Sequence, residues 1–151
     1  MKTGDPVENF VLLDQFGREF ELYQNLDKDV LLVFYPKDDT PVCKKQLKDY
    51  ALHKSEFETF GIRVIGINID PVGSHFNFCT SNQIDFPVLS DPGGKISNIF
   101  DAVNIIGQNK RKLVLIGKDK RVKFQKSTIP AFFLSYEDVI SKIKNITDYK
   151  T

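Results

Sequence analysis

The sequence predicts an α/β domain: a central mixed β-sheet with helices on both faces and a β-hairpin at the N-terminus. Three observations predict it. Two apolar runs, Val30 to Tyr35 and Ile62 to Ile69, read as buried strands. Between them Leu47, Tyr50, Ala51, Phe57 and Phe60 recur at roughly helical spacing among Lys, Glu and Gln. The order strand–helix–strand–helix, closed by a hairpin and a last helix, is one that layers helices over a sheet.

The elements follow in order. Val7 to Leu13, a turn at Asp14-Gln15-Phe16-Gly17, and Arg18 to Leu22 read as the N-terminal hairpin. Val30 to Tyr35 is the first buried strand, and Lys44 to Phe60 the first long helix. Ile62 to Ile69 is the next strand. Ser74 offers an N-cap for a helix to about Asn82. Phe86 to Leu89 is a short strand whose Pro87 suits an edge or a strand start. Asp91-Pro92-Gly93 is a turn, followed by a helix near Lys95 to Phe100. Lys112 to Ile116 and Val122 to Lys126 alternate around a turn at Lys118 to Arg121, as in a hairpin. Ser135, with Glu137 and Asp138 behind it, caps a final helix through Ile146.

Composition narrows the function classes. The 151 residues are 41% hydrophobic and 27% charged, as expected for one compact domain, 1–151, with its own core. A net charge of +1 gives no basic field for nucleic acid. The 13 phenylalanines read as core material. No apolar stretch is long enough to span a membrane, and Met1 to Pro6 lacks the apolar core of a signal peptide. The expected setting is the cytoplasm, where a cysteine is reduced and available for chemistry.

The stretch Pro36-Lys37-Asp38-Asp39-Thr40-Pro41-Val42-Cys43 joins the first buried strand to the first helix. Its Asp, Thr and Pro residues are loop chemistry. Cys43 thus falls at a helix N-terminus, where the dipole and unpaired amides favour a thiolate. Taken alone, such a cysteine is either a reactive thiolate or a helix-start thiol with no redox role.

These residues resemble the active-site loop of the peroxiredoxins. The Pro-x-x-x-Thr-x-x-Cys pattern is complete in Pro36, Thr40 and Cys43. Within that family the chain is similar to the bacterioferritin-comigratory-protein/PrxQ branch, over nearly its whole length. Gly4-Asp5-Pro6 with Phe10 and Leu12, Ser74-His75 with Phe78, and Phe86-Pro87-Val88-Leu89-Ser90-Asp91 match typical segments, and Arg111 stands where the family has an arginine before a strand. The resemblance implies a thioredoxin-like fold and a thiol peroxidase with no metal, haem or flavin, acting on hydrogen peroxide and small organic hydroperoxides. It implies that Cys43 attacks the peroxide and that Thr40 hydrogen-bonds thiolate and substrate. Arg111 would stabilise the developing charge. Pro36 would shield the site, and the Val42 and Cys43 amides would cradle the peroxide. A thioredoxin-like or other dithiol protein would restore the thiols, and the chain would be a monomer or weak homodimer.

Two departures stand out. Lys44 takes a place usually held by Thr or Ser; it adds positive potential beside the thiol, opposes the helix dipole, and equally well alters loop packing. Lys48 takes the place, five residues after Cys43, where many members of this branch carry the resolving cysteine. The remaining thiol is Cys79, in a segment where a subset of the branch places that cysteine. It is either resolving or a small buried helix residue beside Phe76 and Phe78. A Cys43–Cys79 bridge needs Cα atoms within about 7 Å. That predicts local unwinding of the Cys43 turn and of the Cys79 helix. Closing a loop of this length removes roughly 3–4 kcal/mol of unfolded-state entropy, offsetting part of the cost.

Other constellations are weaker. His75 and Cys79 share a helix face but make a two-ligand set, too poor for a metal, so His75 reads as a surface histidine. His53 reads as solvated, the charged run Lys118 to Lys123 as a hairpin tip, and Gly93-Gly94-Lys95 as an incomplete phosphate loop. Gln46, one turn after Cys43, either orients Arg111 or is an ordinary polar helix residue. The alternatives to a two-cysteine peroxidase are a one-cysteine enzyme resolved by an external thiol, and a non-catalytic redox sensor or holdase on the same fold.

Overall fold

The computed structural model describes residues 1–146; the end of the predicted domain, 147–151, lies outside the described residues. Its strands are β1 (Val11–Leu13), β2 (Glu19–Glu21), β3 (Asp29–Phe34), β4 (Ile62–Asn68), β5 (Val88–Ser90), β6 (Arg111–Ile116) and β7 (Val122–Thr128). Its α-helices are α1 (Pro41–Leu52), α2 (Lys54–Thr59), α3 (Val72–Asn82), α4 (Lys95–Ile99) and α5 (Tyr136–Lys144). The strands form one mixed sheet in the order β2-β1-β5-β4-β3-β6-β7. β3, β4 and β5 run parallel at its centre, with antiparallel β6–β7 on one side and the β1–β2 hairpin on the other.

Alternation along β3 divides the core into two layers. Leu31, Val33 and Tyr35 face Leu47 and Tyr50 of α1, Phe57 of α2, Phe78 of α3, and Val139 and Ile143 of α5. Val30, Leu32 and Phe34 face the N-terminal segment through Val7, Phe10, Phe20 and Leu22, with Phe100 at the end of α4. Helices therefore cover both faces, most of them on the Cys43 side. Each large apolar side chain buried this completely contributes roughly 1.5–3 kcal/mol. The hairpin turn depends on Gly17, whose φ of 73° lies in the left-handed region, and on Asp14, whose Oδ1 accepts from the Phe16 and Arg18 amides.

Several boundaries differ from the sequence expectation: the first hairpin strand shortens to Val11–Leu13 and the short strand shifts to Val88–Ser90, and three helices differ as follows. The predicted helix Lys44 to Phe60 begins at Pro41 and breaks at His53, whose φ/ψ of −111/25° is not helical. Pro41 suits the first helical position because its missing N–H is not needed there. At the break the His53 ring bonds the Asp49 carbonyl at 2.9 Å and stacks on Tyr136 at 3.6 Å, so His53 is half-buried and not solvated. The third helix begins at Val72 after Pro71, which places Ser74 inside the helix and not at its cap. Ser135 caps α5 as expected, accepting from the Asp138 amide at 3.2 Å, and the helix ends at Lys144, two residues before the predicted end.

The register of the sheet sets up the site. β3 pairs antiparallel with β6, Phe34 opposite Lys112, so Arg111 enters the sheet beside the end of β3. The chain leaving β3 turns through residues 35–40 and starts α1 above that arginine.

Candidate active site

Cys43 is the third residue of α1 and 1% exposed. The first helical amide to find a backbone partner is Lys44, which donates to the Thr40 carbonyl at 2.8 Å. The Val42 and Cys43 amides precede it and have no intrahelical acceptor, so the thiol lies at the positive end of the helix.

Arg111, 2% exposed, reaches the thiol from the sheet. Its Nη2 donates to Cys43 Sγ at 3.1 Å and to the Pro130 carbonyl at 3.0 Å. Nε donates to the same carbonyl at 3.2 Å, and Nη1 to Gln46 Oε1. Gln46 thus takes the orienting role that sequence left open. Its amide donates to Tyr50 Oη at 3.3 Å, and that hydroxyl donates to the Leu134 carbonyl at 2.7 Å. Burial, foremost, pushes the Tyr50 hydroxyl well above its ordinary pKa, so it stays a donor. A planar, permanently charged fork is thereby held against the sulfur by partners on α1 and on the segment before α5.

Thr40 occupies the N-cap position with extended backbone, but its hydroxyl donates to the Lys37 carbonyl at 3.0 Å and not to Cys43. Its lone pairs remain free to accept. Pro36 is half-buried at the start of the loop. Asp39 holds the loop with a φ of 60°, a conformation Asp tolerates better than most residues. Lys44 Nζ pairs with Asp39 at 3.3 Å, the lysine half-buried and the aspartate largely exposed, so part of its charge is spent on the loop.

Cys79 lies in α3, 4% exposed, and neither cysteine is bonded to the other. The two thiols are held on separate helices of one core layer. Burial and, secondarily, the charge of Asp38 push the Cys79 thiol up to about 12.

Asp38 is the residue the sequence reading passed over. Its carboxylate, 6% exposed, accepts from four donors. Oδ1 takes the Tyr35 hydroxyl at 2.5 Å and the Asn68 amide at 3.3 Å; Oδ2 takes the Ser74 hydroxyl at 2.7 Å and His75 Nδ1 at 2.6 Å. Burial opposes its ionisation, but the hydrogen bond and charge of His75, then the Tyr35 and Ser74 hydroxyls, hold its carboxyl below the usual range. His75 is fully buried, not on the surface. Its Nε2 lies 3.0 Å from the Leu89 carbonyl, so both ring nitrogens are engaged. The neighbouring helix start is capped from within: Asp91 accepts from the Ile96 and Ser97 amides. Among the described residues no group of three or more His, Cys, Asp or Glu is placed to hold a metal, and no helix is long and apolar enough to cross a membrane.

The AhpC/TSA family matches residues 3–125. A putative peroxiredoxin bcp of Helicobacter pylori is 33% identical over 119 residues, 79% of this chain and 74% of that protein. A chloroplastic peroxiredoxin Q of rice, Oryza sativa subsp. japonica, is 38% identical over 96 residues, 64% of this chain; the match spans only 44% of the rice protein. The chain therefore spans less than half the length of that relative. The crystal structure of peroxidoxin BcpB from Mycobacterium tuberculosis superposes with a TM-score of 0.87 at 29% identity, covering 100% of this chain and 99% of that one. The sheet with its covering helices is thus a thioredoxin-like peroxiredoxin fold.

Proposed function

The chain belongs to the AhpC/TSA family and, within it, to the bcp/peroxiredoxin Q branch, and on that premise we propose that it is a thiol peroxidase. Its substrates are hydrogen peroxide and small organic hydroperoxides, and Cys43 is the attacking thiol. The observation that carries this reading is the Arg111 guanidinium 3.1 Å from a cysteine sulfur in the first turn of a helix.

The chemistry follows from that pair. The Cys43 thiolate attacks the terminal oxygen of the peroxide; an S–O bond forms as the O–O bond breaks. The departing oxygen leaves as alkoxide, or hydroxide from hydrogen peroxide, and takes a proton. Charge builds on that oxygen beside a buried, permanent cation and two open backbone amides, where it is stabilised most. Thr40 Oγ1, whose O–H donates to the Lys37 carbonyl, accepts from the peroxide's O–H. Pro36 keeps water from the sulfur.

Cys43 is left as a sulfenic acid and Cys79 resolves it as an intramolecular disulfide, which a thioredoxin-like or other dithiol protein reduces. A monomer or weak homodimer suffices for this cycle, and a reducing compartment such as the cytoplasm supplies the reductant. Burial of Cys79 favours a second reading, a one-cysteine cycle closed by an external thiol. Steady-state peroxide consumption with a thioredoxin system tests the proposal. Wild type turns over, Cys43→Ser does not, and Cys79→Ser reacts once at near wild-type rate and then stalls. Turnover by Cys43→Ser refutes the proposal; sustained turnover by Cys79→Ser selects the one-cysteine cycle.

A further inference from the structure

We propose that Asp38 is a positioning residue that locks the Cys43 loop to the Cys79 helix, so that the second thiol is released only when this lock opens. The inference rests on the reading of Cys43 as attacking and Cys79 as resolving thiol.

Asp38 stands between Pro36 and Thr40, on the loop that delivers Cys43. Through one buried carboxylate it joins that loop to Ser74 and His75 on α3, to Asn68 at the end of β4, and to Tyr35 after β3. Its own amide donates to Asp70 Oδ2 at 2.8 Å, a second tie in the same direction. His75 lies one turn before Cys79 on the same face of α3. The Tyr35 ring packs on Phe78 at 6.3 Å while its hydroxyl holds Asp38. Unwinding the Cys43 turn and unwinding α3 around Cys79 therefore pull on the same carboxylate. The lock also keeps Cys79 chemically silent. Burial, and after it the charge of Asp38, holds the thiol protonated while the lock is closed.

The consequence lies in how the Cys43 sulfenic acid is consumed. With the lock open, Cys79 gives up its proton and its sulfur bonds the Cys43 sulfur. The sulfenic oxygen leaves as hydroxide, takes that proton and becomes water. With the lock closed the sulfenic acid waits, and a second peroxide molecule transfers an oxygen to it, giving the sulfinic acid and a second water or alcohol. The strength of the lock sets the partition between disulfide and sulfinic acid.

Ser74→Ala removes one donor from a half-buried site and leaves the carboxylate in place; Asp38→Asn removes the charge itself. Two readouts apply to the full chain. One is the rate at which iodoacetamide alkylates Cys79 in the reduced protein. The other is the ratio of disulfide to Cys43 sulfinic acid after excess peroxide, by peptide mass spectrometry. Ser74→Ala is expected to speed Cys79 alkylation by at least about tenfold, the lower end of what one lost hydrogen bond to a charged group is worth, and to lower the sulfinic fraction. Asp38→Asn moves both further. Ile143→Val, a core change distant in sequence from the lock, controls for general loosening and leaves the ratio unchanged. Alkylation and ratio within twofold of wild type in folded Ser74→Ala overturn the lock, whether or not Asp38→Asn folds. A wild type that oxidises Cys43 without forming the Cys43–Cys79 disulfide overturns the resolving reading instead, and the alkylation rates still decide the lock.

Discussion

Replacing Arg111 by methionine keeps much of the side chain's length and removes its charge and its fork. Four hydrogen bonds vanish: to Cys43 Sγ, to Gln46, and two to the Pro130 carbonyl. At 3.1 Å, a full charge pair at an effective dielectric of 20 is attracted by about 5 kcal/mol, an upper limit before desolvation. The net value of a hydrogen bond to a charged group is nearer 1.5–3 kcal/mol. If that bond acts on the thiolate and on the departing oxygen, the rate constant for Cys43 oxidation should fall roughly 10- to 150-fold. Arg111→Lys keeps a charge but not the fork and should fall between. The chain has no tryptophan, so the assay is competition for hydrogen peroxide against a haem peroxidase rather than intrinsic indole fluorescence. A second-order rate constant within twofold of wild type, in a variant whose circular dichroism is native, would refute the assigned role.

Tyr50→Phe leaves the Leu134 carbonyl without its donor and should cost about 1–3 kcal/mol in urea unfolding; through the slackened Gln46 it should slow peroxide reduction by only a few-fold. Asp38→Asn breaks a buried pair and should destabilise by about 3–5 kcal/mol at neutral pH. Because the folded fold holds the Asp38 carboxyl low, its contribution is complete above the unfolded value of about 3.9 and disappears as pH falls through the folded value. The stability gap between wild type and Asp38→Asn should therefore close below about pH 4, and a gap that widens there contradicts the assignment. Lys44→Thr exchanges a surface pair for the residue usual in the family, and should change stability by less than about 0.5 kcal/mol in thermal melts.

The strands and helices with strong patterning were legible in sequence because burial enforces them: Val30 to Phe34 of β3 is an unbroken apolar run, β4 is interrupted only by Arg63 before Asn68 at its end, and α5 carries its own cap. The meeting of Cys43 and Arg111 could be anticipated because the loop motif is local and the arginine immediately precedes a recognisable strand; the motif also marked Thr40, but not that its hydroxyl turns to the Lys37 carbonyl. The break at His53 was not, since no glycine or proline marks it; it depends on a ring stack with Tyr136, far along the chain. The same holds for Asp38 and His75. An aspartate in a loop and a histidine on a helix look like surface residues until the β3–β4 pairing and the crossing of α3 bring them within 2.6 Å. Tyr50 fits the apolar stripe of α1, and nothing in its spacing reveals that its hydroxyl serves Leu134 and Gln46. Carbonyl partners such as Pro130 carry no side-chain signature at all. The one sequence clue was chemical: Asp38, Ser74 and His75 all fall within segments that match the family.

The most direct test of Cys43 as the attacking thiol is mass spectrometry of the reduced protein after one equivalent of hydrogen peroxide. The expected result is an intact mass lower by two hydrogens and a peptide linking Cys43 to Cys79. One oxygen added to Cys43, with Cys79 still open to alkylation, would keep Cys43 as the attacking thiol and overturn the resolving role of Cys79. A Cys43 left unoxidised would overturn its assignment as the attacking thiol.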